Sequence, residues 1–477
     1  MPTTVNLRKI LDAKRWEVMN PAPVATTSAT FVVSSYHYRQ QQLYVTSNTA
    51  AHLYNPSEDA WAQVPSPALA GTFGAGACGI AHSWSTGSTV AAASLTATSG
   101  TTSTIVTNQT LARDLRGYSV QILSGPNAGA TLTISSNTIG TNATITVPAQ
   151  ASAFSASTVF RLMTPRFYVL GAGTLASGSF RVYDFATNTW QTLSQTGLPA
   201  SVATDGRLVS TPSWIGTDYN SMATGTATSA TSTTLVNSAK NWTPSQWVNA
   251  QVRITGGTGA GQIRTITAND ATSITVATWT TTPDATSTYA ISGNDDFLYF
   301  LGNNAVTLYR YSISANTWST LTPGAARSGA PGAGMSGSWI SQSTDSAWTA
   351  ENSIINGRRI YSFRGAASTT LDYYDIAANT WVSALTYAPA TETLTTGTKW
   401  ALIRDQIYVQ KDATGRWFRY NVVTSEQDGW SVMPALQGAA LLGDTAWDVR
   451  FIDGATEVAY VYMILNTSSI VLRCMVI

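Results

Sequence analysis

Short apolar runs separated by polar turns fill the chain, and one arrangement of them recurs. A tyrosine, a polar turn and a tryptophan stand in Y-N-P-S-E-D-A-W from Tyr54 to Trp61 and Y-D-F-A-T-N-T-W from Tyr183 to Trp190. They stand again in Y-S-I-S-A-N-T-W from Tyr311 to Trp318 and Y-D-I-A-A-N-T-W from Tyr374 to Trp381, with a looser copy from Tyr420 to Trp430. The spacing predicts a hairpin at each copy. The tyrosine ends a strand that buries one face, the Asn/Asp cluster makes a tight turn, and the tryptophan begins the returning strand. A further strand precedes each copy: Q-L-Y-V-T at 42–46, F-Y-V-L-G at 167–171, F-L-Y-F-L-G at 297–302, R-I-Y-S-F-R-G at 359–365 and Q-I-Y-V-Q at 406–410.

Trp16, in R-W-E-V-M-N-P, reads like the segments after Trp61 and Trp430 but has no tyrosine strand before it. The missing strands are at the other end of the chain, V-A-Y-V-Y-M-I-L at 458–465 and S-I-V-L-R-C-M-V-I at 469–477. Wrapping one end onto the other completes a sixth unit. The intervals between these tryptophans are 45, 129, 128, 63 and 49 residues, and 63 across the closure.

The two long intervals hold duplicated material. A-T-S-G-T-T-S-T-I-V-T-N at 97–108 matches A-T-S-A-T-S-T-T-L-V-N-S at 227–238, and V-Q-I-L-S-G-P-N-A-G-A at 120–130 matches V-R-I-T-G-G-T-G-A-G-Q at 252–262. Both stretches alternate apolar and polar residues with period two between Gly-rich turns, so each is expected to be a small β-domain. Placed at 91–162 and 223–291, they leave intervals of 57 and 59 residues. The remaining chain divides into 1–90, 163–222 and 292–477.

Outside these inserts the Tyr…Asn-Thr-Trp units resemble kelch-type repeats, whose period is about 50 residues. The resemblance implies an all-β fold: a six-bladed kelch-like β-propeller with two inserted small β-domains, its N- and C-terminal strands closing one blade. The kelch glycine pair is reduced here to single Gly171, Gly302 and Gly365. The inserts, above all G-G-T-G-A-G-Q-I-R-T-I at 256–266, are similar to small β-modules of tailed-bacteriophage virion proteins. That second resemblance implies a virion structural component, a tail nozzle or hub forming a homo-oligomeric ring at the distal tail tube. Its partners would be other tail proteins (an adaptor and tail fibres), and it would be assembled in the host cytoplasm. The alternatives are a receptor- or glycan-binding fibre or appendage and, further off, a carbohydrate-active propeller enzyme.

Composition agrees with the all-β class. Charged residues make up 11% of the chain, too few for helical surfaces, while 36 Gly and 17 Pro supply turns. A net charge of +1 gives no basic field for nucleic acid or an anionic membrane, so no sequence-specific nucleic-acid partner is expected. The first twenty residues, with Arg8, Lys9, Asp12, Lys14, Arg15 and Glu17, do not form a signal peptide's apolar core. The longest apolar run, Val458 to Leu465, is eight residues, short of the roughly 20 a membrane helix needs. A soluble protein is expected.

The catalytic inventory is thin. His37, His52 and His82 fall in or beside predicted strands without supporting ligands at metal-site spacing. Asp184 and Asp375 sit six residues before a tryptophan, whereas the sialidase turn has its Asp five before and a glycine that is absent here. Cys78 and Cys474 lack the neighbours of a galactose-oxidase-like copper site and are expected to be small buried residues. G-G-T-G-A-G-Q at 256–262 lacks the Gly-Lys-Ser/Thr of a phosphate loop and a helix behind it. Asn108, Asn142, Asn241 and Asn466 form glycosylation sequons that matter only on a secretory route. Trp242, Trp247 and Trp279 are open to either a core or a sugar-stacking role. No catalytic, cofactor-binding or metal residue and no cofactor is expected. Both inserts should emerge on the face bearing the Tyr-to-Trp turns, standing side by side, and mediate assembly over a propeller core able to fold without them.

Overall fold

The computed structural model describes residues 16–25, 31–34, 41–70, 77–82, 94–202, 206–210, 221–248, 250–292, 296–302, 306–327, 338–340, 359–363, 370–386, 399–403, 406–411, 416–421, 427–428, 445–451, 457–465 and 468–476. Every regular element among them is a β-strand. Six antiparallel four-stranded sheets account for most of these strands. Sheet 2 runs Phe31–Ser34, Gln42–Val45, Ala51–Asn55, Ala60–Gln63, and sheet 3 runs Cys78–His82, Arg166–Leu170, Phe180–Asp184, Thr189–Thr192. Sheet 4 is Arg207–Ser210, Phe297–Leu301, Leu308–Ser312, Thr317–Thr320, and sheet 5 is Ser338–Ile340, Arg359–Phe363, Thr370–Asp375, Thr380–Thr386. Sheet 6 is Lys399–Ile403, Gln406–Lys411, Arg416–Asn421, Gln427–Asp428. Sheet 1 joins the two ends of the sequence: Thr445–Phe451, Glu457–Ile464, Val471–Val476, then Trp16–Val18 on the outside. There Trp16 lies opposite Cys474, and Arg473 Nε donates to the Glu17 carboxylate at 2.9 Å.

The first strands of these sheets pack side by side in the order 6, 1, 2, 3, 4, 5. Meander sheets arrayed with their first strands inward are the arrangement of a β-propeller. It explains why the second strands are so deeply buried. Arg166–Leu170 and Phe297–Leu301 are buried at every position, because each lies in a sheet covered by a neighbour on both faces. The outermost strands, such as Ala60–Gln63 and Thr317–Thr320, are short and largely exposed, and short edge strands offer little to pair with.

Seven strands interrupt sheet 3 between its first and second strands, and seven more interrupt sheet 4 at the same place. Each set forms a sheet of its own that closes into a barrel. In the first, the two end strands are Thr131–Thr133 and Ser136–Asn137, consecutive pieces of one chain segment. In the second the ends are Ser221–Thr226 and Ser229–Ala230, again consecutive pieces. Each barrel is entered and left by strands paired with one another: Leu95 lies opposite Phe160, and Ser221 opposite Ser292.

The barrels differ inside at several positions, and one set of three is an exchange of volume. Leu95, Thr107 and Phe160, all buried in the first, correspond to Gly225, Asn237 and Tyr289 in the second. The Tyr289 hydroxyl would need a buried partner, and Asn237 Nδ2 donates to it at 2.9 Å. Glycine opposite makes the room: a Cβ on Gly225 would stand 2.6 Å from Asn237 Nδ2 and 2.8 Å from the Tyr289 hydroxyl oxygen.

Both barrels lie over Tyr-to-Trp turns, but on turns two sheets apart. Ala112 of the first donates its N–H to the Ala186 carbonyl at 2.8 Å, within Y-D-F-A of sheet 3. Gln246 of the second donates Nε2 to the Ile376 carbonyl at 2.6 Å, within Y-D-I-A of sheet 5. The Y-S-I-S turn of sheet 4 lacks the Asp-x-Ala pattern shared by the other two. Each barrel core is also continuous with a core between sheets: Leu111 and Leu115 cluster with Leu43, Phe167 and Phe185, and Trp242 and Trp247 with Phe297, Tyr374 and Ile376.

Candidate functional site

The recurring chemistry of this chain is concentrated in the Tyr-to-Trp turns. The tyrosine and tryptophan of each fully described copy face each other across the hairpin, as Tyr54–Trp61, Tyr183–Trp190, Tyr311–Trp318 and Tyr374–Trp381. The residue five after the tyrosine takes the left-handed conformation, with φ of 50° at Asp59, 55° at Asn188, 52° at Asn316 and 49° at Asn379. Asn and Asp tolerate that region best among non-glycine residues. Their side-chain oxygen then accepts the tyrosine hydroxyl: 2.6 Å at Asp59, 2.7 Å at Asn188, 2.6 Å at Asn316 and 2.7 Å at Asn379. Burial pushes these phenols up, that of Tyr183 to about 12, so they act as neutral donors.

The tryptophan indole N–H crosses to the preceding sheet. Trp61 Nε1 donates to the Asn20 carbonyl at 3.0 Å, Trp190 Nε1 to Pro65 at 2.8 Å and Trp318 Nε1 to Ser194 at 3.1 Å. Each acceptor lies four residues after the previous tryptophan of the repeat. Trp381 departs from the rule: its Nε1 is buried without a hydrogen-bond partner, and Asn379 Nδ2 instead reaches the Thr322 carbonyl at 3.2 Å.

The acids marked out for glycosidase-like chemistry hold these turns in place. Asp184 accepts the N–H groups of Ala186 and Thr187 at 3.0 and 3.2 Å and lies 3.5 Å from Arg166, both side chains fully buried. Asp375 accepts Ala378 N–H at 2.9 Å and stands in register with Arg359. In sheet 4, where serine replaces that aspartate, Asp296 does the work from the neighbouring strand, accepting Ser314 N–H at 2.8 Å and Ser312 Oγ at 2.6 Å.

His52 is buried on the third strand of sheet 2, where burial lowers its pKa, and His82 ends the first strand of sheet 3 opposite Arg166. His37 lies outside the described residues. Among those described, no group of three or more His, Cys, Asp or Glu is placed to hold a metal ion. Cys78 and Cys474 are buried in different sheets and form no disulfide, and burial pushes the Cys474 thiol up to about 12.

The glycine loop at 256–262 is a turn of the second barrel. Gly257, Gly259 and Gly261 are left-handed, and Gly261 N–H returns to the Ile254 carbonyl at 2.8 Å. A strand, Ile263–Asn269, follows. Gln262 accepts the Thr280 and Thr281 N–H groups at 2.7 and 3.1 Å, tying the loop down. Trp242, Trp247 and Trp279 are 1%, 1% and 3% exposed, so they are barrel core and present no ring to a sugar. Asn108, Asn142 and Asn241 lie in the barrel segments; Asn466 is outside the described residues.

Sequence reasoning missed the acceptors at 20, 65 and 194, and it missed Arg113 of the first barrel, whose Nη2 donates to Asn188 Oδ1 at 3.0 Å and to the Tyr183 hydroxyl at 2.9 Å. The constant offset of four from a tryptophan was the available signal for the acceptors. Nothing in the sequence marked Arg113.

No protein-family model matches the chain, and no curated protein matches it. Among solved structures it is similar to the six-bladed β-propeller lectin of Aleuria aurantia, described with a fucose recognition mode, at 8% identity and a TM-score of 0.37 over 93% of this chain and 90% of the lectin. It is also similar to YCF48 bound to a D1 peptide, at 8% identity and a TM-score of 0.31 over 96% of both chains.

Proposed function

We propose that the chain is a non-enzymatic structural component of a tailed-bacteriophage virion, a tail nozzle or hub subunit that assembles into a ring with adaptor and fibre proteins. The propeller is read as six-bladed and kelch-like, with inserted β-domains at 91–162 and 223–291. The observation that carries the structural role is the use made of the polar groups. Asp59, Asp184, Asp296 and Asp375, the residues most like catalytic acids, are all engaged in turns and seams of the fold. The near-zero net charge suits a lumen that passes DNA without gripping it, and the likeness of the duplicated barrels to phage modules supports the virion setting.

A glycan-binding appendage is the competing reading, and the burial of Trp242, Trp247 and Trp279 weighs against it. Mass and symmetry of the purified protein, followed by antibody labelling of intact particles, test the proposal. A closed ring and label at the tail tip are expected. A monomer that binds a glycan array and leaves particles unlabelled would overturn it.

A further inference from the structure

One seam between sheets is closed differently from its neighbours. Between sheets 1 and 2, Asn20 serves the next turn twice: its N–H donates to Asp59 Oδ1 at 3.0 Å and its carbonyl accepts Trp61 Nε1 at 3.0 Å. Between sheets 3 and 4, Ser194 does the same, with its N–H on Asn316 Oδ1 at 2.9 Å and its carbonyl on Trp318 Nε1 at 3.1 Å. Between sheets 2 and 3 the equivalent residue is Pro65. Its carbonyl accepts Trp190 Nε1 at 2.8 Å, but proline has no N–H to give.

Arg113 supplies the missing donor from the first barrel. Its Nη2 reaches Asn188 Oδ1 at 3.0 Å and the Tyr183 hydroxyl at 2.9 Å, and its guanidinium lies 4.9 Å over the Phe185 ring. The flanking contacts hold that segment in place: Ala112 N–H on the Ala186 carbonyl at 2.8 Å, and the Tyr118 ring 5.5 Å from Phe185. The second barrel reaches the Tyr374 hydroxyl through the Thr243 side chain and has no arginine at the place of Arg113. Pro244 stands two residues after Trp242, as Arg113 stands two after Leu111.

We infer that the first barrel is a strap on the seam between sheets 2 and 3, with Arg113 standing in for the backbone N–H that Pro65 lacks. The substitution changes the direction of the bond. At the other two seams the second lock bond runs from sheet to sheet, whereas Arg113 reaches the turn from a barrel rooted in the same sheet. Of the two lock bonds this seam keeps one across it, Trp190 to Pro65. The order of the Tyr183–Trp190 turn then depends on the barrel being seated. The strap is a property of the fold and operates whatever the propeller assembles with.

The test is a double-mutant cycle read by amide hydrogen exchange, using Arg113→Ala, Pro65→Ser and the pair together in the full chain. A hydrogen bond from a charged donor is lost in Arg113→Ala, so exchange at Ala186 to Asn188 should rise by about tenfold or more, with the Tyr311–Trp318 turn unchanged. Pro65→Ser restores the N–H that Ser194 provides elsewhere, and in that background the same substitution should raise exchange by only about threefold or less. The entropy that proline removes from the unfolded chain is common to both arms and cancels. An equal rise in both backgrounds, no rise at all, or a rise spread evenly over every sheet would overturn the strap. Should Arg113→Ala not fold, Arg113→Lys is compared in the same two backgrounds under the same criteria.

Discussion

Trp318 donates its indole N–H to the carbonyl of Ser194, four residues past the tryptophan of the preceding sheet, at 3.1 Å. The bond ties a side chain of one sheet to the backbone of the next, so the tryptophan is at once filler and fastener.

That dual role separates the tryptophans by substitution. Trp318→Phe and Trp190→Phe keep an aromatic ring in the core and lose the bond, at a cost of about 1 kcal/mol each. Trp381→Phe removes an indole N–H that is buried without an acceptor, so it should cost clearly less. Chemical denaturation of the three variants ranks them, and a Trp381→Phe penalty equal to that of Trp318→Phe would contradict the assignment.

Asn188 answers two requirements, a left-handed backbone at φ 55° and an acceptor for the Tyr183 hydroxyl. Asn188→Gly removes only the acceptor, while Asn188→Ala adds about 1–2 kcal/mol of backbone strain. The alanine variant should therefore unfold at lower denaturant than the glycine variant. The reverse order would show that the turn is free to leave that conformation.

Burial raises the Tyr299 hydroxyl from an ordinary 10.0 to about 12. The folded state holds this proton more tightly than the unfolded chain does. Its contribution is therefore complete below pH 10 and is lost as pH rises from 10 to 12, with a slope of up to about 1.4 kcal/mol per pH unit. Tyr299→Phe should flatten the alkaline limb of the stability profile by one such tyrosine and leave the profile near pH 7 in shape. An unchanged alkaline limb would refute the link.

The exchange of volume between the barrels can be transplanted. Gly225→Leu alone places its side chain against Asn237 and Tyr289 and should cost about 2–3 kcal/mol by overpacking. Adding Tyr289→Phe and Asn237→Thr reproduces this corner of the first barrel's interior and should recover most of the loss in thermal unfolding. A triple variant no more stable than the single one would mean that the two interiors are not interchangeable.

The hairpins were legible because their signal is in side chains: the tyrosine, the left-handed Asn and the tryptophan recur at fixed spacing, and each does one physical job. The bonds between sheets were hidden because their acceptors are backbone carbonyls. Asn20, Pro65 and Ser194 share a position and no side-chain chemistry. Period-two alternation marked strands in the duplicated segments, but the closing of each barrel depends on pairings such as Thr104 with Thr146 and Leu95 with Phe160, which local pattern does not encode. The landing place of the second barrel was not readable, because its bond goes to a backbone carbonyl, that of Ile376. Trp430, which ends the looser copy, and the histidine at 37 lie outside the described residues.

The paired entry and exit strands of each barrel bear on how such a chain is put together over generations. A segment that leaves and rejoins its sheet through two neighbouring antiparallel strands adds length without moving any partner in the sheet: Arg166 still faces His82, and Leu170 still faces Cys78, with eighty-three intervening residues between the first two. A single duplication copied into the next repeat at the same joint changes nothing in the pairing of either sheet. The two long intervals between tryptophans, 129 and 128 residues, are what two copies of one such register-neutral addition leave behind.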